Sequence, residues 1–211
     1  MSESARGIIL RTRLLTETSL IVNWLTVEQG RISTVAKGAR RPKSRFAGKL
    51  DLFYLADFSF ARSHRSDLHT LREVSLRETH TAFRTVLGYL QQAAYCSALV
   101  EQATERDTPL PAIYELLRGL LEHLPRQPPL PQTTLAFELK LLHELGLAPN
   151  PGVNELSAGA RQIVGALVAG DWAASARLKP SEAQFAELRR YLDGFLILHL
   201  GRIPKRLPQT S

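Results

Sequence analysis

Ser19-Leu20-Ile21-Val22-Asn23-Trp24-Leu25-Thr26, the turn signal Gln29-Gly30, and Arg31-Ile32-Ser33-Thr34-Val35-Ala36-Lys37 decide how the first part of this chain folds. Both runs carry β-branched and aromatic residues, which suit a pleated, half-buried surface, and the glycine between them lets the backbone reverse. They read as a β-hairpin. The texture continues outward. Gly7–Arg13 is a strand rich in Ile and Leu. Leu52–Ala61 alternates, with Leu52, Tyr54, Ala56, Phe58 and Phe60 on one side and Phe53, Leu55, Asp57 and Ser59 on the other. After a polar turn at Ser63–Ser66, His69–Arg77 supplies a fifth strand containing Leu71 and Val74. Five short strands in sequence predict a small closed barrel, because closure removes exposed sheet edges. A five-stranded Greek-key OB-fold fits this pattern; an SH3-like barrel is the alternative.

Near residue 80 the period changes from two to between three and four. Ile113, Leu116, Leu117, Leu120, Leu121 and Leu124 form one apolar stripe ended by Pro125, and Leu135, Leu139, Leu142 and Leu145 form another ended by Gly146. Tyr89–Glu105 and Ala158–Ala169 are further helices. The last helix opens on Ser181-Glu182-Ala183-Gln184, a capping box in which the Ser hydroxyl and the Gln side chain each satisfy one orphan backbone N–H. It runs through Phe185, Leu188, Leu192 and Phe195 to Gly201. The prediction is therefore an α+β chain: an N-terminal five-stranded OB-fold β-barrel over residues 1–80, followed by an all-α helical domain over 81–211.

Composition narrows the function. The chain has 211 residues, 44% hydrophobic and 22% charged, and no apolar run approaches the roughly 20 residues a membrane helix needs. Nor does the N-terminus resemble a signal peptide, so a cytoplasmic location without membrane attachment is expected. The single cysteine, Cys96, excludes an internal disulfide and any paired-cysteine zinc site. The net charge of +7 is unevenly spread: residues 1–85 carry 15 Lys and Arg against 8 Asp and Glu, whereas residues 86–211 carry 12 against 12. The whole excess lies in the barrel half, which points to a polyanionic partner.

The excess is concentrated between Gly30 and Leu50. This stretch holds Arg31, Lys37, Arg40, Arg41, Lys43, Arg45 and Lys49 and no acid. Gly38–Arg45 is expected to form a mobile loop leaving the barrel, its guanidinium forks and ammonium groups suited to phosphate oxygens. Phe46 sits within the cations and either stacks on unpaired bases or tucks back onto the barrel. With Arg72, these eight residues are the predicted nucleic-acid site. If seven cations each met one phosphate of a single strand, the logarithm of affinity would fall with that of salt at a slope of about −5.

Thr16-Glu17-Thr18-Ser19-Leu20-Ile21-Val22-Asn23 and Val35-Ala36-Lys37-Gly38-Ala39-Arg40-Arg41-Pro42-Lys43-Ser44-Arg45-Phe46, with Leu68–Val74 and Phe137–Gly146, resemble the RecO family of bacterial recombinational repair proteins. The resemblance implies an OB-fold followed by helices, binding of single- and double-stranded DNA, and annealing of complementary strands. It also implies association with RecR, contact with the acidic C-terminal tail of the single-stranded-DNA-binding protein, help in loading RecA in the RecFOR pathway, and residence at the nucleoid. Arg118 and Lys140 are the candidate rim of the site for that tail. Many family members carry a four-cysteine zinc element after a segment like Leu141–Pro149; here a short loop at about 149–157 replaces it, so neither metal nor cofactor is expected.

Two other readings use the same residues differently: an OB-fold RNA-binding protein, and a protein adaptor whose nucleic-acid contacts are incidental. An enzyme is not expected. The six histidines form no three-ligand metal pattern, and there is no P-loop or nucleophile motif.

Overall fold

The computed structural model describes residues 2–152 and 155–205. Its elements run β1 (Ser2–Leu14), β2 (Leu20–Thr26), β3 (Gly30–Ala36), β4 (Leu55–Ala61), β5 (Leu68–Glu78), α1 (Ala82–Thr85), α2 (Leu87–Ala103), α3 (Pro111–His123), α4 (Pro131–Glu144), α5 (Ala158–Ala169), α6 (Trp172–Arg177) and α7 (Glu182–Leu200). The loop expected at about 149–157 includes Val153 and Asn154, which lie outside the described residues.

The strands close into a barrel in the order β1-β2-β3-β5-β4. β3 pairs with β5 in parallel, Val35 opposite Thr70, and β4 returns to β1, Ala61 opposite Ser2. This Greek-key closure is the OB-fold arrangement. The interior follows the alternation read from the sequence: Ala56, Phe58 and Phe60 of β4 are buried, and Val22 and Trp24 of β2 meet them. Trp24 stacks on Phe58, ring centroids 4.0 Å apart, and its indole Nε1 donates to Thr34 Oγ1 at 2.9 Å. The one polar atom of the largest core side chain is thereby satisfied.

Two strand boundaries differ from expectation by more than one residue. β1 begins at Ser2 rather than Gly7, because pairing with β4 recruits a polar stretch that has no apolar signature of its own. β4 begins at Leu55 rather than Leu52, because Phe53 takes φ +64 and breaks the extended run, its N–H donating to the Ile9 carbonyl at 2.8 Å.

By contacts the chain divides into two compact units, Met1–Thr81 with Thr104–Tyr114, and Ala82–Ala103 with Glu115–Ser211. The 104–114 stretch lies against the β2–β3 turn. There the Asp107 N–H donates to the Arg31 carbonyl, and a Cβ on Gly30 (φ +65) would sit 1.9 Å from the Thr108 oxygen. Only glycine fits so close an approach.

In the second unit α4 is central, packed against α2, α5, α6 and α7, with Leu135, Ala136, Phe137, Glu138 and Leu139 all fully buried. The Glu138 carboxylate is paired with Arg189 and accepts from the Tyr95 hydroxyl. A buried charge is tolerated where it is met this way. The Ser181–Gln184 capping box is present, and Gly201 ends α7 in the left-handed conformation. Cys96 is fully buried in α2. α6 has no apolar stripe to announce it; the Asp171 side chain caps its N-terminus by accepting from the Ala174 N–H.

Candidate nucleic-acid interface

The basic segment does not leave the barrel as an open loop. After Gly38 (φ +68) it winds into consecutive turns, with N–H groups of Arg41, Ser44, Ala47 and Lys49 donating to carbonyls of Gly38, Arg41, Ser44 and Phe46 at 3.0–3.1 Å. Three hydrogen bonds tie it to the β1–β2 hairpin tip: the Arg40 N–H to the Thr18 carbonyl, the Arg40 guanidinium to the Glu17 carbonyl, and the Gly38 N–H to Ser19 Oγ. These bonds fix the cations to the rim of the barrel mouth where β3 ends.

Phe46 holds the turns down. Its ring is 2% exposed and belongs to the barrel core, packed among Ala39, Leu50 and Tyr54, so it does not offer a face for base stacking. Of the two arrangements open from the sequence, the structure adopts the tucked one. An aromatic ring gains more from filling the mouth of a small core than from standing in water among charges. The Arg45 guanidinium lies 5.0 Å from the Phe46 ring centroid.

Arg31 also departs from expectation. Its Nε donates to Thr104 Oγ1 at 2.8 Å and a terminal nitrogen to the Thr104 carbonyl, so it fastens the 104–114 stretch instead of facing a ligand. Lys37, Arg40, Arg41, Lys43, Arg45 and Arg72 are exposed, and Lys49 is half-buried. Among the described residues none of these seven lies within 4.0 Å of a carboxylate. Arg72 lies on β5 two residues beyond Thr70, as Lys37 lies two beyond Val35, and Val35 and Thr70 are paired, so the register sets Arg72 level with the start of the turns.

Four other arginines of this unit are paired with carboxylates. Asp57 accepts from Arg6 Nε at 2.7 Å and from Arg77, and these guanidinium groups hold its carboxyl below the usual range, Arg6 most strongly. Arg62 pairs with Glu3 at 2.8 Å, and Arg106 with Asp67 at 3.3 Å. The hydrogen bond from Arg62 likewise lowers the Glu3 carboxyl.

In the helical unit neither predicted rim residue presents an unpaired cation. Arg118 is paired with Glu115 at 2.8 Å and with Glu122, both on its own helix. Lys140 Nζ donates to the carbonyls of Val168 and Gly170 at 2.9 and 2.6 Å, where the C-terminal end of α5 carries partial negative charge. Burial pushes the Lys140 ammonium below its ordinary range. Leu135 and Ala136 are fully buried and line no open groove.

Sequence reasoning missed the hairpin tip. Leu14 and Leu15 are 63% and 45% exposed, beside Arg13 and bonded through residues 16–19 to the basic turns. The signal was available: two consecutive leucines where β1 ends and the turn begins, beyond the reach of the barrel core.

Family comparisons agree with this geometry. The family model described as Recombination protein O N terminal matches residues 1–80, the barrel, and that described as Recombination protein O C terminal matches residues 84–151. The chain belongs to the RecO family. A DNA repair protein RecO from Anaeromyxobacter sp. (strain K) is 35% identical over 143 residues, covering 68% of this chain and 56% of that protein. RecO from Exiguobacterium sibiricum is 30% identical over 150 residues (71% and 59%), and RecO from Listeria monocytogenes serotype 4b (strain F2365) 33% identical over 147 (70% and 57%). The matched region thus spans less than two thirds of these relatives. Among the described residues no helix is long and apolar enough to cross a membrane.

Proposed function

We propose that this chain is a DNA-binding repair protein that holds single- and double-stranded DNA along the 37–49 turns and promotes annealing of complementary strands. The observation that carries the reading is the set of six cations, Lys37, Arg40, Arg41, Lys43, Arg45 and Lys49, fixed on hydrogen-bonded turns without a carboxylate partner, on the barrel of a RecO-family chain. Two strands repel through their phosphates. A surface that neutralises both lowers that barrier while leaving base edges free, and phosphate contacts position a strand without reading its sequence.

With Arg31 engaged elsewhere, six phosphate contacts give a slope of about −4 on single strands, or a loss of a few hundredfold between 50 and 200 mM salt. In the setting of the whole protein, the same surface would serve RecA loading onto strands coated with single-stranded-DNA-binding protein, together with RecR, in the cytoplasm at the nucleoid. The reading involves no bond-making chemistry. It is tested by pairing of complementary oligonucleotides coated with single-stranded-DNA-binding protein. Wild type should accelerate pairing, and Arg40→Ala/Arg41→Ala/Lys43→Ala should not. Failure of the wild type to accelerate pairing would overturn the annealing role.

A further inference from the structure

At the mouth of the barrel ringed by the basic turns, β1 and β2 run past the rim. Their last pair is Leu14 opposite Leu20, and Leu20 is on the face of β2 that carries Val22 and Trp24 into the core. Leu14 therefore faces inward, yet it is 63% exposed, and Leu15 next to it is 45% exposed. Leu20, the strand partner of Leu14, also lines a recess of about 220 Å³ together with Ala39, Phe46, Ala47, Leu50 and Tyr54. Its single carboxylate, Asp51, accepts the Leu52 N–H at 2.8 Å. The volume is below the roughly 300–1,000 Å³ of pockets that enclose drug-sized ligands and suits one flat ring.

We infer that this recess holds one unstacked base of a single-stranded DNA whose phosphates lie on the surrounding cations, with Leu14 and Leu15 as a lip that parts it from the next base. The inference rests on the DNA-binding reading above and adds a strand preference to it. Three features favour this occupant. The recess is mostly apolar, and Tyr54, half-buried in its lining, is the aromatic ring there that remains partly open to a base, while Phe46 contributes only its buried edge to the lining. The cations are spread along Lys37–Lys49 and Arg13 rather than clustered at one point, which matches a repeating polyanion better than a single carboxylate group. The leucines stand at the tip of a hairpin tied to those cations through Thr18, Glu17 and Ser19, the placement of apolar wedges that separate base steps in other nucleic-acid complexes. A duplex offers no free base without breaking a pair, so the recess selects single strands. One base held per protein leaves its neighbours available for pairing.

The test measures binding of the full chain to oligodeoxythymidylate and to a sugar–phosphate strand of equal length without bases, each as a function of salt. The phosphates are the same in both, so the two salt slopes should be parallel, with thymidylate bound about tenfold or more tightly. Ala47→Phe fills the recess and Leu14→Ser/Leu15→Ser removes the lip. Each should bring thymidylate down to the level of the baseless strand while leaving binding of that strand unchanged, which also shows that the variant is folded. Should Ala47→Phe fail to fold, the leucine pair decides alone.

Equal binding of the two strands by wild type would overturn the base site and leave the phosphate reading standing. Absence of binding by either would overturn both. A preference that survives both variants would place the bases elsewhere and overturn the assignment. So would an acidic, phenylalanine-containing peptide whose binding Ala47→Phe abolishes while thymidylate binding persists, since the recess would then be a peptide site.

Discussion

Arg6 and Arg77 on the barrel wall, and Arg41 and Lys43 on the turns at its mouth, are all exposed cations of one small domain, but the wall residues share Asp57 while the turn residues have no carboxylate partner. The wall pair is partly compensated: two guanidinium groups share one carboxylate, with which a phosphate would have to compete. At the mouth the field is left for something outside the molecule to neutralise. Counting charges along the chain gives the same weight to both sets. Only the fold separates cations that hold the protein together from cations available to a ligand. Arg31 makes the point sharply, since it belongs to the acid-free run and is nevertheless spent on Thr104.

The comparison can be broken in several places. The largest effect is expected at Phe46, whose ring anchors the turns to the core. Phe46→Ala should cost about 3–5 kcal/mol in a urea melt, and DNA binding should weaken with it although no charge is removed. Were binding unchanged, the turns would not need the core to present their cations.

The next effect sharpens the contrast in the opposite direction. Asp57→Asn frees Arg6 and Arg77, and the salt slope for single strands should steepen by about one. Asp57 is held below its ordinary value of 3.8, so its ion pairs stabilise the fold above that value and are lost as pH falls through the lower folded value. The variant should therefore be less stable than wild type at neutral pH and match it in strong acid. An unchanged slope would mean that position on the barrel, and not pairing alone, selects the DNA contacts.

A third prediction concerns His69, buried against Phe60 with ring centroids 5.3 Å apart, its Nδ1 accepting the Ser63 N–H and its Nε2 3.9 Å from Asp107. Burial lowers its pKa from 6.5 in spite of that carboxylate. The unfolded chain takes up the proton more readily, so barrel stability should be complete above pH 6.5 and decline as pH falls below it, levelling off under the folded value. His69→Gln should flatten this limb of a stability–pH profile.

The smallest effect is expected at Arg118. Exposed pairs along one helix are worth about 0.3–0.5 kcal/mol each, so Arg118→Ala should lower the melting midpoint only slightly and leave DNA binding alone.

Much of the fold was legible because its signals are local. The alternation of Ala56, Phe58 and Phe60, the turn at Gln29-Gly30, the bounds of α5 and the Ser181–Gln184 cap each depend on residues within a few positions of one another. The cations of the site were legible for the same reason. What could not be read depended on distant partners. Thr104 is 73 residues from the Arg31 it engages, and the carbonyls that hold Lys140 are 28 and 30 residues away. Phe46 sits in a run of charges that argues for exposure, and its burial follows only from barrel closure around Ala39, Leu50 and Tyr54. The first residues of β1 were invisible because pairing, not composition, makes them a strand.

The central claim is that the unpaired cations of the 37–49 turns are the phosphate contacts. The salt dependence of oligodeoxythymidylate binding tests it most directly, with wild type compared against Arg41→Ala/Lys43→Ala/Arg45→Ala and against Arg6→Ala/Arg77→Ala. The account predicts a wild-type slope of about −4 that falls in magnitude by about two in the triple variant and is unaltered in the wall variant. Equal slopes for the triple variant and wild type, or a loss confined to the wall variant, would contradict it.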